Sequence, residues 1–240
     1  MAMPFSRNEL KEENEDTSFP NEYRRYPEGH PDRRMFLWLN EFLEPGQTRP
    51  YTYEDYITWE GSWELAYGRK MARNGYTGTV AMAGAFIPHN IVRGELELQL
   101  RLYLKGKKCR LFSENFDVKL KVDEYDENAE LTFQPDILIV CDPSKIADGK
   151  KCVGAPDFII EVLSPSSSKR DKTCKRRSYE KAGVREYWIA DPSNMNVDVY
   201  ILEDGKLSYT ATYGNKDHIP VHIFEDCSIN LEEVFESVME

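Results

Sequence analysis

Between Phe116 and Val122 the chain alternates with a period of two, Phe116, Val118, Leu120 and Val122 interleaving with Asp117, Lys119 and Lys121. That pattern predicts a strand with one wetted face. Upstream the period lengthens: Val92, Leu96, Leu100 and Tyr103 recur at helical spacing, so 89–105 is expected as a core-facing helix, ended by Gly106. Two short runs, DILIVC from Asp136 and FIIEVL from Phe158, are almost wholly apolar, rich in β-formers and bounded by Pro, Asp, Gly or Ser. They are expected as central strands. A helix is expected over 166–182, with Pro165 before it, serines to cap it and Gly183 to stop it, and EYWIA at 186–190 resumes the sheet.

The C-terminal third continues in β-pattern. Asp204-Gly205 between 197–202 and 206–213 is a strong hairpin signal, 221–224 reads as a further short strand, and Asn230 can cap a helix running through Leu231, Val234, Phe235 and Val238. At the other end, YTYEDYITWEGSWELAYGRK from Tyr51 suggests a short helix, then a strand through Trp63, Leu65 and Tyr67 that turns at Gly68. Residues 1–50 mix charge, proline and aromatics and read as an arm with a helix over 35–44, leaving 51–240 as the compact domain. The polar stretch 123–130 reads as a turn, and no internal repeat is evident. The fold class expected is α/β (α+β), a central mixed sheet flanked by helices with an added hairpin region.

Composition narrows the functional classes. With 40% hydrophobic and 30% charged residues the chain can build a packed core. Thirty-one Lys and Arg against 42 Asp and Glu give a formal charge of -11, so the molecule as a whole repels polyanions and any nucleic-acid contact must be local. The five cysteines, Cys109, Cys141, Cys152, Cys174 and Cys227, are odd in number and form no CxxC pair. They are expected as reduced thiols, neither a disulfide framework nor a zinc site. The N-terminus is polar, and no apolar stretch approaches the length of a membrane span, so a cytoplasmic protein without membrane contact is expected.

Glu161 falls in the middle of an apolar strand, where desolvation must be offset by a cation or a metal ion. An ion pair with Lys or Arg is the plainer of the two solutions. Asp136 opens the preceding apolar strand, 25 residues earlier, and adjacent strands would allow both carboxylates to meet on one Mg²⁺. Asp157, in a second Pro-Asp pair, would lie roughly 13 Å from Glu161 along one strand at about 3.3 Å per residue and is assigned to a turn. Lys175 shares a helix face with Asp171 and Tyr179, four residues away on either side, and could reach the strand carrying Glu161. Six basic residues, Lys169, Arg170, Lys172, Lys175, Arg176 and Arg177, cluster there and form either a phosphate-facing patch or a solvated helix face.

The segment PDFIIEVLSPSSSKRDKTCKRRSYEKAGVREYWIADP resembles the Uma2 family of restriction endonuclease-like proteins, a branch of the PD-(D/E)xK nuclease superfamily. WEL at 63–65, Pro88-His89 and Pro135-Asp136 follow the family's landmarks in order, so the likeness spans roughly 51–202. The resemblance implies a restriction-endonuclease-like core in which Asp136 and Glu161 bind Mg²⁺, with Mn²⁺ as a substitute, and the carbonyl of Val162 completes the coordination. The superfamily's lysine, two residues after the glutamate, is replaced here by Leu163, which leaves Lys175 as the relocated lysine. Glu64 and His89 are expected to line the same cleft, although His89 also suits a helix cap or a core position. Lys169, Arg170, Lys172 and Tyr179 are further candidates for cleft or phosphate contacts. The long N-terminal arm and the 123–130 turn depart from the family pattern. The expected activity is metal-dependent endonucleolytic hydrolysis of DNA, compatible with a homodimer. The alternatives are a non-catalytic module binding nucleic acid or protein on the same fold, and a hydrolase of another phosphorylated substrate.

Overall fold

The computed structural model describes residues 53–59, 63–66, 69–72, 87–121, 130–164, 172 and 175–239. In chain order the elements are α1 (Tyr53–Tyr56), β1 (Trp63–Ala66), β2 (Arg69–Ala72), α2 (Ile87–Leu104), β3 (Arg110–Ser113), β4 (Asp117–Lys121), β5 (Glu130–Phe133), β6 (Ile137–Val140), a 3₁₀ turn (Pro143–Ile146), β7 (Lys151–Val153) and β8 (Phe158–Val162). There follow α3 (Arg176–Ala182), β9 (Glu186–Asp191), β10 (Asn196–Glu203), β11 (Lys206–Gly214), β12 (His218–Pro220), β13 (Ser228–Asn230) and α4 (Leu231–Met239). The helix expected over 35–44, the 123–130 turn bar its last residue, and the capping serines after Pro165 lie outside the described residues.

Strands β6 and β8 are apolar but for Glu161, and both of their faces are buried. They lie inside a six-stranded sheet of order β11-β10-β9-β8-β6-β3. Only β8 and β9 run parallel, joined by the crossover that contains α3; the other neighbours are antiparallel, which makes the sheet mixed. Ile137, Ile139, Phe158, Ile160, Val162, Trp188 and Val199 point to one face. There they meet Val92, Leu96, Leu100 and Leu104 of α2 and Leu231, Val234 and Phe235 of α4. Each such side chain contributes roughly 1.5–3 kcal/mol on burial. The fully buried α2 stripe ends on Leu104, while Tyr103 is half-buried against the same core and its hydroxyl donates to Asp226.

A second sheet, β2-β1-β5-β4-β7, carries the anticipated alternation at Val118 and Leu120. Its strands β5 and β7 were not foreseen, nor was β3 of the larger sheet. With three or four residues each they are too short to display a period.

The hairpin forms as expected between β10 and β11, with Asp204 and Gly205 at φ 49° and 76°, the two left-handed positions that its tight turn needs. Its ladder slips once. Val199 pairs with Ala211 but Tyr200 pairs with Tyr209, leaving a bulge on β11.

Two expectations are corrected. Cys109 and Cys141 are joined in a disulfide, not reduced thiols: β3 and β6 pair Arg110 with Val140, so the next residues outward face each other across the ladder. Cross-strand register, not sequence spacing, made that pair. Cys152 and Cys227 are free and buried, and Cys174 lies outside the described residues. Residues 221–224 form no strand. Phe224 N donates to the Val221 carbonyl at 2.9 Å, which makes a turn, and the pairing strand is β12, against β13. Among the described residues no helix is long and apolar enough to cross a membrane.

Candidate active site

The ladder between β6 and β8 pairs Ile137 with Ile160, and one step further out sets Asp136 opposite Glu161. Because Ile137 and Ile160 face α2 and α4, alternation sends the two carboxyl residues to the opposite side of the sheet. Both are buried, Asp136 to 7% and Glu161 to 2% exposure. Uncompensated, two such charges would be strongly unfavourable.

Compensation comes from α3 and from the backbone. Lys175, the residue before α3, brings Nζ within 2.9 Å of Glu161 Oε1 and is itself 2% exposed. One helical turn on, the Tyr179 hydroxyl donates to the same oxygen at 2.7 Å. Gly183 ends α3 in the left-handed region at φ 88°, where its N–H donates to the Tyr179 and Glu180 carbonyls. The Phe133 ring packs edge-on to Tyr179 at 5.7 Å and sits 6.0 Å from the Lys175 nitrogen, walling off this end of the site.

Asp136 is held differently. Its Oδ2 accepts the Val162 N–H at 2.8 Å and lies 3.3 Å from His89 Nε2, on the first turn of α2. Burial raises the Asp136 pKa, but the hydrogen bond and charge of His89, the charge of Lys175 and the Val162 N–H outweigh it, so the carboxyl is held below its usual value. Burial pulls His89 down, yet Asp136 more than restores it, and the imidazole ends above its ordinary value. His89 is thus neither a plain cap nor an apolar-core histidine; it touches the first carboxylate.

The other expected residues are distributed as follows. Leu163, where the superfamily's lysine would stand, is buried at 6% exposure. Lys172 is exposed. Asp157 lies before β8, accepting the Cys141 N–H at 2.8 Å and pairing with Arg185 at 3.3 Å. The side chain of Glu64, on β1, and residues Lys169, Arg170 and Asp171 lie outside the described residues. For Val162 the bond observed uses the N–H, not the carbonyl. Phe133 and Gln134 were missed. Gln134 donates to Asp117 at 2.9 Å and to the Tyr56 hydroxyl at 3.0 Å, while Tyr56 donates to Asp117 at 2.8 Å, a network just upstream of Pro135-Asp136. The only sequence signal for it was its proximity to that dipeptide.

The donors fit a hard divalent cation. Among the described residues no three His, Cys, Asp or Glu side chains converge on one point. Mg²⁺ needs no such set, because it is commonly held by one or two carboxylates together with waters and substrate phosphates. Asp136 and Glu161 supply that number, in oxygen chemistry.

Comparison with known proteins agrees with the geometry. The family model described as "Uma2: Putative restriction endonuclease" matches residues 53–232. An uncharacterised protein of Synechocystis sp., slr1290, is 25% identical over 154 residues, which cover 63% of this chain and 74% of that one. A crystal structure from Anabaena variabilis, described as a putative nuclease belonging to DUF820, superposes with a TM-score of 0.57 at 19% identity, covering 79% of this chain and 99% of that one. That structural likeness establishes a shared fold, and the family match spans most of the domain. The chain belongs to the Uma2 family of putative restriction endonucleases.

Proposed function

We propose that the protein is a metal-dependent endonuclease that hydrolyses phosphodiester bonds in DNA. The observation that carries this reading is the meeting of Asp136 and Glu161 from adjacent strands with Lys175 at 2.9 Å from Glu161. Asp136 and Glu161 would hold Mg²⁺ or Mn²⁺, which when bound supplies an acidified water and neutralises charge on the phosphate. The Val162 N–H and His89 hold the Asp136 carboxylate in the ionised form that a metal ligand would need. Tyr179 and Lys175 fix Glu161, and the Lys175 ammonium lies where it can offset negative charge developing on the phosphoryl oxygens.

A second reading keeps the same residues but no chemistry: Glu161 and Lys175 form a buried structural ion pair in a binding module. The two readings part over metal. Incubated with single-stranded, duplex and branched DNA, and with RNA, the protein is expected to cleave DNA in Mg²⁺ or Mn²⁺ and to stop in EDTA. Asp136→Ala and Glu161→Ala should each lower the rate by at least ~100-fold while circular dichroism shows the fold intact. Metal-independent binding without cleavage of any form would overturn the nuclease reading.

A further inference from the structure

Beside the carboxylates, on the same side of the sheet, four tyrosine rings run from the interior to the surface. Tyr179, bonded to Glu161, meets Tyr187 at 5.3 Å; Tyr187 meets Tyr200 at 6.1 Å; Tyr200 meets Tyr209 at 5.8 Å. The row follows from register, since Ile159, one alternation before Glu161, pairs with Tyr187, Tyr187 with Tyr200, and Tyr200 with Tyr209. Burial falls along it, from none of Tyr187 exposed to 57% of Tyr209. Tyr209, at the outer end of the row on the rim strand β11, has no core to fill, and among the described residues its hydroxyl reaches Thr212 at 2.9 Å.

Arg176 lies over this row. Its guanidinium carbon is 5.2 Å from the centre of the Tyr200 ring. Among the described residues it makes no ion pair with a carboxylate, and its buried Nε has no hydrogen-bond partner there. Nearby acids are otherwise engaged: Glu180 accepts the Leu207 N–H at 2.8 Å, and Asp198 accepts the Thr212 hydroxyl. In a chain of net charge -11, Arg176 beside Lys175 sets two cations next to the aromatic row, a local pairing that suits an anionic backbone.

We propose that Arg176, Tyr200 and Tyr209 form a track for unpaired DNA flanking the cleaved bond. Arg176 takes a backbone phosphate while Tyr209, supported by Tyr200, stacks on a base. The proposal rests on the nuclease reading of the carboxylate site for its register with the cleaved bond. From β8 to β11 is three strand spacings, on the order of 15 Å, so the same strand could occupy both places. Aromatic faces accept any base, but only one that is out of its duplex, so the track favours single-stranded over blunt double-stranded substrate.

The test is fluorescence anisotropy of the full chain in EDTA, where cleavage does not intervene, with dye-labelled oligothymidylate, oligouridylate and a blunt DNA duplex as probes. The native protein is expected to bind oligothymidylate more tightly than duplex. Tyr209→Ala should weaken oligothymidylate binding about tenfold, equivalent to ~1.4 kcal/mol, and Tyr209→Phe should restore it. Arg176→Ala should weaken binding and flatten its salt dependence by ~0.7 in the log-log slope, the value of one single-strand phosphate contact. Exposure of Tyr209 keeps its variants foldable, and circular dichroism checks them. An unchanged Kd in Tyr209→Ala, equal affinity for the duplex, binding to oligouridylate alone, or no binding to any probe each overturns the track. A companion cleavage assay in Mg²⁺ separates the two claims: Tyr209-dependent binding without cleavage removes the nuclease and keeps the track, whereas cleavage with Tyr209-independent binding does the reverse.

Discussion

Lys175 and Tyr179 both serve one oxygen of Glu161, but their removal should cost very different amounts. Taking away the ammonium leaves a buried carboxylate without its charge partner, a loss of ~3–5 kcal/mol. Tyr179→Phe forfeits one hydrogen bond to a charged group, ~1.5–3 kcal/mol. Urea denaturation of Lys175→Ala and Tyr179→Phe measures the order directly; a lysine variant less harmful than the tyrosine variant would show that the pair is not desolvated as its burial implies. At this scale the sequence was informative wherever chemistry conflicted with environment. Glu161 was visible because a charge interrupts an apolar strand, and Lys175 because helical spacing aligned it with Tyr179. The contact between His89 and Asp136 spans 47 residues and two elements, and no local pattern encodes it.

At the scale of elements, Glu186 ties the start of β9 to the loop before β13. No part of it is exposed; it accepts the Trp188 indole N–H at 2.7 Å and the Ile223 N–H at 2.9 Å, with His222 at 3.3 Å. Burial raises its pKa above the ordinary 4.5, against the opposing pull of the Ile223, His222 and Trp188 contacts. Above 4.5 the unfolded chain releases this proton before the folded one does, so this group's contribution to stability declines as pH rises through the folded pKa. Thermal melts from pH 4 to 7 should therefore show the advantage of the native protein over Glu186→Gln greatest at the acid end. A difference that grows with pH would contradict it. The same loop explains a misread element. VHIF carries the composition of a strand, but Glu186 captures its backbone N–H and bends it into a turn. Long strands and helices with clear periods were legible, as were the glycine and asparagine punctuation at Gly183, Gly205 and Asn230. The short strands β3, β5 and β7 were not, because their identity comes from the partner they pair with.

For the whole molecule, the charge of -11 works against any polyanion, so attraction has to be local, as at the cations around α3. A protein that coats DNA through six or more phosphates loses affinity with a log-log salt slope near or beyond about -5. This one is expected to show a slope shallower than about -3 when titrated between low and moderate salt, and a steep slope would mean that a larger basic surface exists. The disulfide belongs to this scale too, since Cys109 and Cys141 are 32 residues apart and are neighbours only across the β3–β6 ladder. The bulge opposite Val199 and Tyr200 bears on self-association. Strands β11 and β3 are the two rims of the six-stranded sheet. One rim is broken in register by the bulge; the other is only four residues long, with Cys109 just before it bonded to Cys141. Neither offers a straight ladder on which a second copy could zip, which guards against runaway cross-β stacking. Two copies of this chain that associated would have to meet elsewhere than along the rims of this sheet.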